Sequence, residues 1–517
     1  MNRIYVTSLA GLSALSIAAG MSSCSGTGDK THNGAKPNII FILADDLGYG
    51  DLGCFGQEKI ETPNIDKLAA EGMRFTNFYS GSPVCAPTRC VLLTGMHSGK
   101  SQVRGNDEWG ERGNVWDYRS MLADSSLEGQ RPIAAGTTTI GTLMQSVGYK
   151  TAIVGKWGLG APHTDGVPNK QGFDFFYGYN CQRMAHTYYP THLWKNDKKD
   201  HLNNDTIPPH MPLPEGADPY DVNSYGAYQL NTYAPTAMFE EMSQWVEENK
   251  SNPFFLYWAS IIPHLPLQAP QRWIDHYVAK FGDEEPHLGS ARRGNYYPAR
   301  YPKATYAAMI SYFDEQVGKL VQQLKDLGLY ENTLIILTSD NGPIGGYAPW
   351  FKSAGPFRDT QGFVKGSIYE GGIRVPMIAA WPGVIKPGTV SDHAAAVYDV
   401  MPTLGAVAGY ETPAEATGLS FYPALKGKKQ KPAEFLYWEY PAGEGSLAIR
   451  MGTLKAVKKK LKGEGSAWEL YDVAADPKEE TDLAPSMPEV IAKAEEILLR
   501  EHTCSSNPAW QFESLGD

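Results

Sequence analysis

Four short apolar runs, each ending abruptly in charged or polar residues, restrict what this 517-residue chain can fold into. They are Pro37 to Leu43, Lys150 to Val154, Pro253 to Ala259 and Asn332 to Leu337. Runs of this length, rich in Ile, Val and Phe, suit strands buried on both faces, as central parallel strands are. Helical patterns lie between them. In Thr62 to Gly72, Thr62 is placed to cap, Pro63 to start and Gly72 to stop a helix. Thr139 to Val147 and Thr236 to Glu248 follow. Tyr306 to Gly328 turns Met309, Ile310, Phe313, Val317, Leu320 and Leu324 to one face. Arg74 to Ser80 and Met377 to Trp381 read as further strands, and Ser391 to Ala408 as a helix. This alternation implies an α/β fold with a large, mostly parallel sheet flanked by helices.

Ligands of such sheets bind beyond the carboxyl ends of the strands. Asp45 and Asp46 stand there after the first run, Lys156 after the second, His264 after the third, and Asp340 with Asn341 after the fourth. Adjacent carboxylates beside a buried strand are costly unless paired or metal-bound. Oxygen ligands suit hard cations such as Ca²⁺ and Mg²⁺. A helix N-cap pair is the plainer alternative, and the glycines at 48 and 50 argue against it. Asp340-Asn341-Gly342 alone is a turn signal, which the preceding apolar run strengthens. Residues far apart in the chain are thus expected to line one pocket.

Ser80 to Gly95 reads as a loop entering a helix: Pro87 suits the first turn and Gly95 the stop. Cys85 then lies at the helix N-terminus, where backbone N–H groups favour anions, and Arg89 shares its face one turn on. A buried helix-start cysteine beside a surface arginine is the bland alternative. Cys85-Ala-Pro87-Thr-Arg89, followed by Leu93-Thr-Gly95, resembles the C-x-P-x-R signature of type I sulfatases, members of the alkaline phosphatase superfamily. The resemblance extends over Pro37 to the C-terminus, and its motifs concentrate in Pro37 to Pro376. It implies that a maturation enzyme oxidises Cys85 to Cα-formylglycine, whose hydrate attacks sulfur. It implies that Asp45, Asp46, Asp340, Asn341 and residue 85 hold a divalent metal, Ca²⁺ in preference to Mg²⁺. Lys156 matches the sulfate-binding lysine of the G-K-W-H-L-G element, but Gly158 stands where that element has histidine, which leaves the final base unassigned. His264 matches the histidine of P-H-x-P. Phe363 to Pro376 matches a further element in which Lys365 binds sulfate, while Glu370 and Arg374 read as structural. Catalytic roles therefore fall to Cys85, Arg89, Lys156, His264 and Lys365.

Between Gln182 and Trp194 the chain is rich in Arg, His and aromatic residues, a composition suited to a sulfated sugar. Arg183, His186 and His192 are its candidate substrate-binding residues, and His186 is the candidate for the place left by Gly158. A hydrogen-bonded loop histidine is the alternative for His186. Gly99 to Gly136, with Trp109, Trp116 and Tyr118, and Ala269 to Lys303 are long, aromatic, charged stretches that read as elaborations near the pocket rim, a plain surface loop being the alternative for the first, and Lys195 to Ala227 reads as an insertion.

The N-terminus carries Arg3, an apolar stretch from Val6 to Ala19, and Gly-Met-Ser-Ser-Cys24, which resembles a bacterial lipoprotein cleavage box. Residues 1–24 are thus expected to be a signal peptide with Cys24 lipidated, and 25–36 a polar tether. A secretory signal without lipidation is the alternative. This predicts an exported protein, periplasmic or anchored to the outer membrane, that meets the membrane only through its lipid. A formal charge of −11 argues against a nucleic-acid partner. The six cysteines fit no disulfide framework or metal-finger spacing. After about Gly418 short strand-like runs alternate with turns, and Pro488 to His502 closes as a helix. A catalytic α/β domain over 37–417 and an α+β module with an antiparallel sheet over 418–517 are expected.

The expected function is hydrolysis of sulfate esters on host or algal glycans, with galactose or N-acetylgalactosamine sulfate preferred. A phosphomonoester or phosphonate hydrolase of the same superfamily, and a non-catalytic lipoprotein that binds sulfated glycans, are the alternatives.

Overall fold

The computed structural model describes residues 36–291 and 296–517. The expected signal peptide with Cys24, and the expected tether before Lys36, lie outside the described residues. No helix among the described residues is long and apolar enough to cross a membrane.

Asn38–Ala44 runs through the middle of a ten-stranded sheet. It is flanked by Thr333–Ser339 and Phe254–Ala259, and beyond the latter lie Lys150–Lys156 and Phe175–Tyr179. These five strands are parallel to one another. On both sides the sheet becomes mixed. Met377–Ala380 pairs antiparallel with Thr333–Ser339, and the hairpin His192–Lys195/Lys198–His201 follows Phe175–Tyr179. The alternation of side chains along the central strand decides the layering. Ile39, Phe41 and Leu43 pack with the helices Cys85–Thr94, Ile140–Ser146 and Val400–Ala408. Ile40, Ile42 and Ala44 pack with Pro63–Glu71, Ala234–Asn249 and Pro302–Asp326.

Three local readings differ in detail. The strand expected over Arg74 to Ser80 is two, Met73–Phe75 and Phe78–Tyr79. Between them Arg374 takes the Thr76 carbonyl with two N–H groups, at 2.7 and 2.9 Å, and also bonds Asn77. That diverts the backbone from the ladder. The helix expected from Ser391 starts at Val400, because Ala395–Ala396 pairs with Phe78–Tyr79 and Asp399 accepts from the Ala396 N–H at 2.8 Å. Thr62 does not cap its helix. Asp314, reaching across from Pro302–Asp326, accepts from the Asn64 and Ile65 N–H groups at 3.2 and 2.7 Å instead. A tertiary partner has replaced a local one.

A second, four-stranded antiparallel sheet comprises Leu436–Tyr440, Ser446–Met451, Leu454–Lys459 and Trp468–Asp472 in that order. Leu447 and Ile449 meet Ile497 and Leu498 of the helix Pro488–Glu501. Trp438, Ala448 and Val457, on the opposite face, join the core that surrounds Cys85–Thr94. Lys455 crosses this junction fully buried, with its Nζ 2.9 Å from both Glu370 and Glu479. Replacing Lys455 by Met would remove the cation that both buried carboxylates share, leaving Glu370 with Arg374 at 3.0 Å and Glu479 with Arg358 at 3.9 Å, which costs about 3–5 kcal/mol. The expected result is a clearly lower thermal midpoint, read by differential scanning calorimetry.

Candidate active site

Sheet register brings the candidate residues together. Ala44 lies opposite Ser339, so Asp45 and Asp340 leave adjacent parallel strands at one level. Gly155 lies opposite Ala259, which places Lys156 and the Ser260–His264 loop beside them. The Asp340 N–H donates to Ala44 O at 3.0 Å and the Asp45 N–H to Ile262 O at 3.1 Å, tying the strand ends to one another. Asp46 turns sharply, at φ +68°. Asp tolerates this left-handed conformation better than most residues. Its N–H is held by Asp340 Oδ1 at 3.1 Å.

Cys85 opens the wholly buried helix Cys85–Thr94, which ends at Gly95 with φ +67°. Its Sγ lies 3.4 Å from Asp45 Oδ1 and 3.9 Å from Lys365 Nζ. Arg89, one turn later, donates to Asp340 at 3.1 Å, to Asp45 at 3.4 Å and to the Lys156 carbonyl at 2.8 Å. Lys156 Nζ is 2.6 Å from Asp45, and Lys365 Nζ is 2.8 Å from Asp46 Oδ2. Asn341 donates to Asp46 at 2.8 Å. His264 Nδ1 bonds Leu265 O at 2.6 Å, leaving Nε2 3.8 Å from Asp46.

Burial governs the ionisation of this cluster. Burial and then the Asp45 charge push the Cys85 thiol up to about 12. Burial also acts to raise Asp45, but Lys156 above all, then His264, Arg89 and Lys365, hold it well below the usual carboxylate range. Asp340 is pushed above the usual carboxylate range by burial and by the negative charge of Asp45. Burial, then Lys365, lower His264 to about 4. His186 is lowered by burial and by neighbouring His264.

The donor set fits a hard dication. Asp45, Asp46 and Asp340 are fully buried carboxylates, and Asn341 Oδ1 is buried with no hydrogen-bond partner. An acceptor left open among carboxylates is what an oxygen-ligated ion would satisfy. Asp45, Asp46, Cys85 and His264 also offer ligand atoms within 4.8 Å of one another. With all three carboxylates ionised, their charge cancels that of Arg89, Lys156 and Lys365, so a divalent ion, which would hold Asp340 ionised, would tip the site toward anion binding.

Cys85, Lys156, His264 and Lys365 line one pocket of about 250 Å³ with His186, Asn106, Glu108, Trp116, Gln182 and Tyr296. Of the three loop candidates, only His186 enters it. Its ring stacks on His264 at 5.5 Å. Arg183 instead forms an ion pair with Glu108, donates to Leu127 O at 2.8 Å and faces a neighbouring hollow. His192 is buried 3.2 Å from Glu128, outside the pocket lining. The carboxylates of Glu108 and Glu128 have engaged both side chains. Trp116 is one of the aromatic residues of the expected rim loop, whereas Asn106, Glu108 and Tyr296 were not singled out within the stretches that carry them. Gln182 opens the loop that runs to Trp194, with no charge or ring to single it out.

Sequence comparison agrees with this geometry. A profile described as Sulfatase matches residues 37–410, and one described as N-sulphoglucosamine sulphohydrolase, C-terminal, matches 360–503. Human arylsulfatase A is 32% identical over 456 residues, which is 85% of this chain and 77% of that protein. The N-acetylgalactosamine-6-sulfatase of Canis lupus familiaris is 31% identical over 426 residues, 81% of this chain and 71% of that one. The crystal structure of Ps i-CgsB in complex with k-i-k-neocarrahexaose superposes with TM-score 0.69 at 26% identity, covering 92% of this chain and 95% of that one. The chain belongs to the sulfatase family of the alkaline phosphatase superfamily and is a sulfuric ester hydrolase.

Because His192 lies outside the pocket, His192→Ala is expected to lower the melting temperature while leaving KM unchanged. His186→Ala, by contrast, should change KM or kcat. Steady-state kinetics on a sulfated substrate checks both.

Proposed function

We propose that this chain removes sulfate from O-sulfated sugars by means of a formylglycine at position 85 and a bound divalent metal, Ca²⁺ in preference to Mg²⁺. The observation that carries this reading is Cys85 at the start of a buried helix, within 4 Å of Asp45 and Lys365, facing a pocket shared with Lys156 and His264. Asp45, Asp46, Asp340 and Asn341 would hold the metal together with residue 85. When bound, the metal would neutralise charge on the transferring group and polarise the attacking hydroxyl.

The chain's own residues divide the remaining work. The hydrated aldehyde at 85 presents a hydroxyl to sulfur. Lys156 and Lys365 face the sulfuryl oxygens, where fixed positive charge counts most as negative charge develops. Arg89 holds Asp45, Asp340 and the Lys156 backbone in one arrangement and so keeps residue 85 and its partners in register. Lys365, or His264 once the negative charge of the bound ester has raised its affinity for a proton, supplies the proton to the departing sugar oxygen. His186, or water, takes the proton that releases sulfate and restores the aldehyde.

A carbohydrate substrate is supported by the aromatic rings of Trp116 and Tyr296 on the pocket wall, since rings stack on apolar sugar faces. The oligosaccharide named with Ps i-CgsB and the sugar named in the canine relative point the same way. Galactose or N-acetylgalactosamine sulfates are the preferred class. The lipoprotein-type N-terminus supports export and anchoring, and a maturation enzyme is the implied partner.

Mass spectrometry of the residue-85 peptide from natively produced protein should show the aldehyde in place of the thiol; thiol throughout would end this reading. Cys85→Ala should reduce kcat by on the order of 10³ or more, and Lys365→Ala by about 10²–10³. Sulfate release from a panel of sulfated monosaccharides identifies the sugar, and faster turnover of the matching aryl phosphate would favour a phosphoester hydrolase. Chelation should abolish activity, with Ca²⁺ restoring it better than Mg²⁺. Asn341→Ala should weaken Ca²⁺ binding about tenfold or more, read by calorimetry.

A further inference from the structure

Gln182 stands at the wall of the Cys85 pocket with its amide unspent. The side chain is 3% exposed and lines the pocket with Lys156, His186, His264 and Lys365. Its backbone is engaged: the N–H donates to Gln130 Oε1 at 3.0 Å, and the carbonyl accepts from Ala185 at 3.1 Å. Its Nε2 is buried and meets no acceptor. A buried amide left without partners costs about 1–3 kcal/mol, so its persistence at a pocket wall points to a ligand that completes it.

Gly158 makes the room. The loops after Lys150–Lys156 and Phe175–Tyr179 run side by side, with Trp157 N–H donating to Tyr179 O at 2.9 Å and Gly158 N–H to Asn180 O at 3.3 Å. This brings Gln182 over Gly158. A Cβ at 158 would lie 2.9 Å from Gln182 Cγ and 3.2 Å from its Cδ, and φ there is +76°. Glycine at 158 therefore lets the amide occupy the space beside Lys156 that a side chain would otherwise enter.

We infer that Gln182 is a substrate-binding residue whose side-chain amide donates a hydrogen bond to an oxygen of the bound sulfate ester. The inference rests on the sulfate-ester reading of this pocket. An amide has both a donor and an acceptor end, and rotation about its last side-chain bond turns either toward the pocket. Being neutral, Gln182 holds the anion without taking or releasing a proton. It thus adds a fixed contact beside the two lysines and leaves proton transfer to the histidines and Lys365.

Gln182→Met keeps the side chain's bulk and removes the donor. Gln182→Glu keeps its shape and puts a carboxylate against the anion. Both are to be made in the full chain and compared with the parent by calorimetric titration with inorganic sulfate, by steady-state kinetics and by thermal melting. Gln182→Met should weaken sulfate binding and raise KM about tenfold, and Gln182→Glu should weaken both by about a hundredfold. The melting temperature of both variants should match the parent's. Sulfate affinity within twofold of the parent in Gln182→Met would overturn the inference while leaving the sulfatase reading intact. A parent protein that neither binds sulfate nor releases it from any ester would overturn both.

Discussion

Removing three carboxylates from water at one place is the constraint on which this structure turns. Asp45, Asp46 and Asp340 have no solvent exposure, and isolated buried charges of like sign repel strongly. They persist because Lys156, Arg89 and Lys365 each bring a cation within hydrogen-bond range of at least one of them. Such pairing is weak evidence for stability in itself, since desolvation offsets most of the Coulombic gain. What it secures is geometry. Each carboxylate is held from two or more sides, so residue 85 meets a preorganised field instead of a mobile one.

The fold supplies that geometry through contacts made away from the pocket. Parallel register sets the level at which Asp45, Asp340, Lys156 and the His264 loop leave the sheet. The helix Cys85–Thr94 is clamped between the large sheet and one face of the C-terminal sheet. On the far side of that junction Glu370 ties Arg374 and Lys455 together, with distances of 3.0 and 2.9 Å. The segment carrying Lys365 is thereby braced by residues nearly a hundred positions away. The C-terminal sheet thus contributes by holding the position of the Lys365 segment and the Cys85 helix.

Legibility differed sharply between parts of the chain. Asn38–Ala44 and Thr333–Ser339 could be read from composition, because a strand buried on both faces must be apolar throughout. The helix stop at Gly95 was readable for an equally local reason. The cap of Pro63–Glu71 was not: Asp314 lies 250 positions from Asn64, and Thr62 offers the same local signal whether or not it caps. Arg183 and His192 show the same limit. A nitrogen-bearing loop side chain looks available in a sequence until the fold reveals Glu108 and Glu128 opposite it.

Local chemistry along the chain therefore determined which residues could act: a helix-start cysteine with an arginine one turn on, polar residues at the ends of apolar strands, lysines in matching motifs. These are properties of neighbours a few residues apart, governed by backbone geometry and by the cost of burying polar groups. Only the tertiary structure decided which candidates share a cavity and which are engaged by other side chains. It alone brought Gln182 over Gly158 and His186 against His264, because contacts between separate loops depend on the register and packing of the elements that carry them.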